Sequence, residues 1–256
     1  MFQTRIMMGM PISIEIADAH ADEAAFDAAF AYFEYVDATF SPFKADSELT
    51  KINRGILKRA DASADMQEIF ALAQETKIQT GGYFDIRTPR GDYDPSGIVK
   101  GWAIENVSQL LASRGFSHVY VDAGGDIRTR GLAAGTRPWR IGIQNPFNLQ
   151  EVIKHVLVTD AGIATSGTYI RGDHIYNPRA NGKPVYDIIS LTVVGPTIYD
   201  ADRFATAAFA MGKEGIRFIE SLDGYEGYAI NKDGIATMTS NFAAYTDQPI
   251  RAAAIK

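Results

Sequence analysis

Met10-Pro-Ile-Ser-Ile-Glu-Ile16 alternates apolar and polar side chains, and residues 22–40 then place Phe26, Phe30, Phe33 and Phe40 at spacings of four, three and seven. A period of two predicts a strand with one wet face, and a period near 3.6 predicts a helix with an apolar stripe. This strand and aromatic helix set the pattern for a chain that mixes both element types.

Working outward, Pro42 breaks the helical period, so residues 40–49 read as a loop leading into a short helix that ends near Asn53. Residues 63–80 predict a second helix, with Ser63 as N-cap, Met66, Phe70 and Ala73 on one face, and Gly81 just past its end. A glycine pair, a short strand and turn-rich residues 87–91 come next. Residues 94–101 enter a third helix striped by Ile104, Val107 and Leu111 and closed at Gly115. Strand signals then dominate: residues 116–122 alternate, 140–143 and 156–159 are short and β-branched, and 188–194 is a near-continuous apolar run suited to burial on both faces. Residues 200–211 are alanine-rich and close at Gly212, residues 214–222 form another helix, and 227–238 fold as a hairpin about Lys232-Asp-Gly234. No repeat or linker interrupts this order. The expected fold is α+β, a single unit over residues 1–256 with mixed or antiparallel sheets and packed helices.

Composition narrows the chemistry. The chain of 256 residues carries 25 Lys+Arg against 31 Asp+Glu, a net charge of -6, and 46% hydrophobic residues. An acidic chain lacks the basic stripe that nucleic acid requires. With no cysteine, disulfides, thiolate metal sites and cysteine nucleophiles are excluded. His20, His118, His155 and His174 share no helix turn, which excludes a two-histidine zinc motif. No stretch approaches the roughly eighteen apolar residues of a membrane span, and no leader pattern opens the chain. The expected compartment is the cytoplasm, or the periplasm if a leader has been removed.

Generic motifs are absent: no P-loop, no G-x-G-x-x-G opening a helix, no G-x-S-x-G elbow. Two glycine-bearing turns stand out, Val121-Asp-Ala-Gly-Gly-Asp-Ile127 and Gly162-Ile-Ala-Thr-Ser-Gly-Thr168. Each reads either as a plain tight turn or as bare backbone N–H groups approaching a phosphate. Asp202 and Thr206, four apart, put two oxygens on one helix face as a hard cation such as magnesium wants. The same residues suit an aspartate that caps or pairs with Arg203 or a neighbour and a threonine bonded back to its helix. Asp94 is a third oxygen or a helix cap. His174, in Asp173-His-Ile-Tyr-Asn-Pro-Arg179, is a base near neutral pH or a satisfied surface or core histidine.

In order along the chain, these segments resemble the ApbE family, the flavin transferases. Met8-Gly-Met-Pro-Ile-Ser-Ile14 resembles the family's M-G-T strand. Phe40-Ser-Pro-Phe-Lys-Ala-Asp-Ser-Glu-Leu49 is similar to F-S-x-Y-x-x-D-S-E-L, with Asn53 following, and Gly81-Gly-Tyr-Phe-Asp85 to G-G-A-F-D. Asp94-Pro-Ser-Gly-Ile-Val-Lys-Gly-Trp-Ala103 resembles D-L-G-G-I-A-K-G-Y-A. Gly124-Gly-Asp-Ile-Arg128, Trp139 to Pro146, Ala164-Thr-Ser-Gly167, His174-Ile-Tyr-Asn-Pro178 and Ala201-Asp-Arg-Phe-Ala-Thr206 complete the series.

The resemblance implies a T-fold-related core, FAD as donor substrate, Mg2+ as metal, and FMN transfer to a threonine or serine of an acceptor flavoprotein with release of AMP. It implies metal ligation by Asp202, Thr206 and the Gly97 carbonyl, and flavin contacts at Met8, Phe43, Tyr83, Phe84, Asp85 and Asp94. The matching motifs and turns add Lys100, Gly124, Gly125, Thr165, Ser166 and Gly167, and His174 falls where the family has its base. Phe43 stands for a common tyrosine, Asn177 for an aspartate, and residues 86–93 are a shortened bridge. An FAD pyrophosphatase and a flavin carrier without turnover are the alternative readings.

Overall fold

The computed structural model describes residues 1–168 and 175–246. In chain order the elements are β1 (Phe2–Met7), β2 (Met10–Ile16), α1 (Glu23–Phe40), α2 (Glu48–Asn53), α3 (Ala64–Gln79), α4 (Ser96–Ser113), β3 (Val119–Ala123), β4 (Asp126–Arg130), β5 (Trp139–Asn145), β6 (Asn148–Val158), β7 (Gly162–Gly167), β8 (Tyr176–Asn177), β9 (Lys183–Pro184), β10 (Ile188–Gly195), α5 (Ile198–Ala210), α6 (Gly215–Glu220), β11 (Glu226–Asn231) and β12 (Ala236–Met238). Ser63 caps α3 as predicted, accepting from Met66 N, and three further helix starts are capped the same way, Asp22 accepting from Ala25 N, Ser47 from Thr50 N and Thr197 from Asp200 N. No described helix is long and apolar enough to cross a membrane.

Eight strands form one antiparallel sheet in the order β1-β2-β3-β4-β7-β10-β11-β12. One face lies under the helices. Ile12, Ile14 and Ile16 of β2, Val119 and Val121 of β3, and Leu191 and Val193 of β10 share a buried core with Phe26, Phe30 and Phe33 of α1 and the apolar stripes of α4 and α5. The β5–β6 hairpin crosses the other face, and Trp139, Ile141, Ile143, Val156 and Val158 bury Ile127, Ile163, Val194 and Tyr228 beneath them. β10 is therefore buried on both sides, as its continuous apolar run requires.

Several expectations need correction. No strand follows the glycine pair; residues 83–95 form a loop with one isolated bridge, Arg87 to Tyr93. Side chains hold this loop instead, the Thr80 hydroxyl accepting from Phe84 N at 3.1 Å and Asp85 Oδ1 from Arg87 N at 2.9 Å. The strand expected over 116–122 begins at Val119, β6 extends back to Asn148, and α6 ends at Glu220. β1 and β4 gave no strand signal. β1 is an edge strand with Phe2 and Ile6 exposed, joined to β2 through Met8 and Gly9, whose φ of 52° and 73° suit a primed two-residue turn. β4 carries Asp126, Arg128 and Arg130, which are tolerated inside because they are paired. Glu105 of α4 lies 3.3 Å from Arg128 Nε and accepts the Ile198 amide at 3.1 Å, while Arg128 donates to the Pro196 carbonyl at 2.8 Å.

That network seats the start of α5 against β7. A Cβ at Gly162 would lie 2.2 Å from the Ile198 nitrogen and 2.3 Å from the Thr197 carbonyl carbon. Both are backbone, so Gly162→Ala is expected to destabilise the fold by about 1–3 kcal/mol. The check is a lower urea midpoint at unchanged m-value; an unaltered midpoint would contradict this close approach.

Candidate active site

The helices and the sheet end meet around a cavity of about 390 Å3. One wall is aromatic. Phe43 comes from the loop before α2, and Tyr83 and Phe84 from the loop after α3. Gly81 and Gly82 both have positive φ, a conformation that lets the chain turn back at the end of α3. The Arg179 guanidinium sits 4.9 Å from the Tyr83 ring centre, and Lys77 pairs with Asp85 at 2.6 Å.

Oxygens line the cavity where α4 packs on α5, and Phe84 lies against them, since a Cβ at Gly97 would stand 3.3 Å from the Phe84 ring. Gly97 and Gly101 lie four apart on α4, as do Asp202 and Thr206 on α5. A Cβ at Gly101 would stand 2.7 Å from Asp202 Cβ, and one at Gly97 3.1 Å from Thr206 Cγ2. The bare glycines thus let the Asp202 carboxyl and the Thr206 side chain close onto the α4 backbone. Asp202 Oδ2 accepts the Gly101 amide at 2.8 Å, the proton that a regular helix directs at the Gly97 carbonyl. Arg203 turns away, to Asp200 at 2.8 and 2.6 Å and to Thr76 at 3.1 Å. Pairing of Asp202 with Arg203 is therefore not adopted, and its carboxyl is bonded to the neighbouring α4 backbone instead.

Asp202 is 3% exposed. Burial pushes its carboxyl up to about 8, with the Lys100 ammonium opposing and Asp126 adding to the rise. Lys100 Nζ lies 2.5 Å from Asp126 Oδ2, and Asp126 Oδ1 accepts the Thr165 amide at 3.1 Å. Asp94 lines the cavity beside the start of α4 and accepts from Ser96 N at 3.0 Å and Ser96 Oγ at 2.5 Å. It serves at the helix terminus and at the cavity together.

The structure gathers Phe43, Tyr83, Phe84, Asp85, Asp94, Gly97, Lys100, Gly124, Thr165, Ser166, Gly167, Asp202 and Thr206 around this cavity. It places Met8 at the β1–β2 turn, packed against the main core and not among the lining residues. Gly125 lines a neighbouring groove. Of the two readings of the 121–127 turn the plain tight turn is adopted, the Gly124 amide donating to the Pro11 carbonyl at 3.0 Å and the Gly125 amide to Asp122 Oδ1 at 2.8 Å; the turn expected over 162–168 is corrected, since Gly162–Gly167 is the strand β7 paired with β10. Burial first, opposed by that amide, raises the Asp122 carboxyl. His174 lies outside the described residues, but Ile175, Tyr176 and Pro178 after it line the cavity. Burial, then Asp94 and Asp85, raises the Tyr176 phenol. These three, with Thr88, Ser96 and Ala210, were not singled out from sequence, although the His174–Pro178 and Asp94–Ala103 segments contain four of them.

The ApbE family profile matches residues 8–92 and 87–229. The FAD:protein FMN transferase of Escherichia coli (strain K12) is 30% identical over 151 residues, which cover 55% of this chain and 43% of that protein. That of Vibrio cholerae serotype O1 is 36% identical over 131 residues, 47% of this chain and 39% of the relative. The matched stretch thus spans less than half the length of these curated relatives. The structure of the flavin transferase ApbE from Vibrio cholerae superposes with a TM-score of 0.84 at 23% identity, covering 96% of this chain and 98% of the other. The apbe protein of Thermotoga maritima gives 0.85 at 19%, with 97% and 99% covered. At these identities the structural likeness is one of fold.

Proposed function

This chain belongs to the ApbE family, and from that premise we propose that it transfers FMN from FAD to a threonine or serine hydroxyl of an acceptor flavoprotein, releasing AMP. The observation that carries the reading is the glycine-mediated contact of α4 with α5, which gathers the Asp202 and Thr206 oxygens in one cavity with the aromatic rings of Phe43 and Tyr83. An isoalloxazine suits the rings of Phe43 and Tyr83, Phe84 being 3% exposed and packed against Gly97, and a pyrophosphate with its cation suits the oxygens.

The donor set fits a hard cation: the buried Asp202 carboxyl, which a bound cation would hold in its charged form, the Thr206 side chain and the Gly97 backbone, all oxygen. A magnesium ion held by them would supply Lewis-acid polarisation of the phosphoryl oxygens. Lys100, held by Asp126, adds positive charge in the same cavity. The acceptor oxygen attacks the FMN phosphorus, the bond from that phosphorus to the AMP oxygen breaks, and AMP leaves with the bonding electrons. His174 takes the acceptor proton. No protein nucleophile is needed, because positioning and charge neutralisation do most of the work in phosphoryl transfer. The acceptor we propose carries its hydroxyl residue in a short segment of small side chains, of the D-G-x-T-[ST]-A-T kind.

Product partition tests the reading. With FAD, magnesium and an acceptor present, AMP is expected to appear with FMN bound to the partner. Free FMN together with AMP would indicate a pyrophosphatase, and retention of intact FAD a carrier.

Phe43 is 91% exposed at the cavity, a large apolar ring that a flat flavin would cover. An aromatic pair contributes about 0.5–1.5 kcal/mol. Phe43→Ala is therefore expected to weaken FAD binding about 2- to 12-fold, measured by quenching of flavin fluorescence. Unchanged affinity would remove Phe43 from the flavin site.

A further inference from the structure

A second cavity, of about 890 Å3, lies beside the first, and Gly124 and Thr165 line both. Its floor is the face of β2 and β3 turned away from the helices. There Ser13 stands opposite Asp122 and Glu15 opposite Tyr120 in the strand register. The isoleucines between them point into the helical core. β5 forms the wall. The β5–β6 hairpin covers the apolar part of this sheet face over β4, β7, β10 and β11 and leaves the polar part over β2 and β3 as a groove.

We propose that this groove seats the acceptor polypeptide as an extended segment, whose hydroxyl residue passes between Gly124 and Thr165 into the flavin cavity. The proposal rests on the transferase reading. Three observations support it. The groove and the flavin cavity adjoin at Gly124 and Thr165, which line both, so a segment lying in the groove has its end beside the flavin site. Its wall includes residues 141–144, whose strand pairing among the described residues is on one side only, with β6; a strand edge takes an extended chain through backbone hydrogen bonds. On the floor Asp122 is taken by the Gly125 amide and the Tyr120 hydroxyl, and the Glu15 carboxylate is an acceptor for backbone N–H and side-chain O–H groups, matching a polar segment and not an apolar one.

The test uses the full chain loaded with FAD and magnesium, and a peptide with one threonine set among glycine, alanine and serine. Hydrogen exchange is expected to slow at residues 141–144 when the peptide is added. Glu15→Arg is expected to raise the peptide KM by about tenfold or more, the equivalent of one good contact, with the FAD Kd within about twofold of wild type. Peptide labelling at the wild-type KM in Glu15→Arg sinks the groove and leaves the transferase reading standing. Protection of 141–144 by peptide, with FMN and AMP released and the peptide unlabelled, sinks the transferase reading and keeps the groove as a polypeptide site. No protection at millimolar peptide overturns the proposal, as does equal protection by AMP alone, which would give the groove to a nucleotide.

Discussion

Asp202→Asn is expected to lower magnesium-dependent cleavage of FAD by about a thousandfold, the several kcal/mol that charge stabilisation by a bound cation supplies. Asparagine keeps the volume of the side chain and an oxygen for the Gly101 amide, now bonded at 2.8 Å to Asp202. Alanine would leave that buried donor unpaired, at about 1–3 kcal/mol of stability, and confuse folding with metal loss. Thr206→Val removes the second side-chain oxygen while keeping the shape that packs against Gly97. Titration calorimetry with magnesium should show the loss of affinity, and thermal unfolding should show a fold little changed. A double variant that cleaves FAD at the wild-type rate in millimolar magnesium, or a wild-type protein equally active in EDTA, would take the cation away from these residues.

His174→Ala is expected to slow transfer by about 10²- to 10⁴-fold, the range for a lost general base, and to leave FAD bound. The expectation rests on its place in the His174-Ile-Tyr-Asn-Pro178 motif and on Ile175 and Tyr176, which line the cavity next to it in sequence. Transient kinetics with saturating FAD would separate the two effects. Normal transfer with weakened FAD binding would move His174 from proton transfer to the flavin pocket.

How far this site was legible in the sequence depended on which forces built each part. α1 was plain because its phenylalanines recur on one face; α3 announced itself through Ser63. β1 was silent because an exposed edge strand has little need of an apolar face, and β4 because its buried charges are made tolerable by Glu105 and Lys100, partners distant in sequence. Asp202 and Thr206 were visible as oxygens a turn apart. What makes them a site was not: the glycines they pack against lie on another helix, and glycine inside a helix reads from sequence only as a local cost. The 124–125 turn allowed two readings. A glycine pair reveals that the backbone turns there, but not that Pro11 and Asp122 take both amides. Met8 carried a family resemblance and a positive φ, and the structure assigns that φ to the tight turn between β1 and β2.

The central claim is transfer to a hydroxyl, and intact-mass analysis of an acceptor reads it directly. A small-residue peptide bearing one threonine, fused to a soluble carrier and incubated with the protein, FAD and magnesium, should gain the mass of FMN less one water. The gain should vanish when that threonine becomes alanine or when EDTA is added. An unmodified carrier accompanied by free FMN and AMP would contradict transfer and leave a pyrophosphatase in its place.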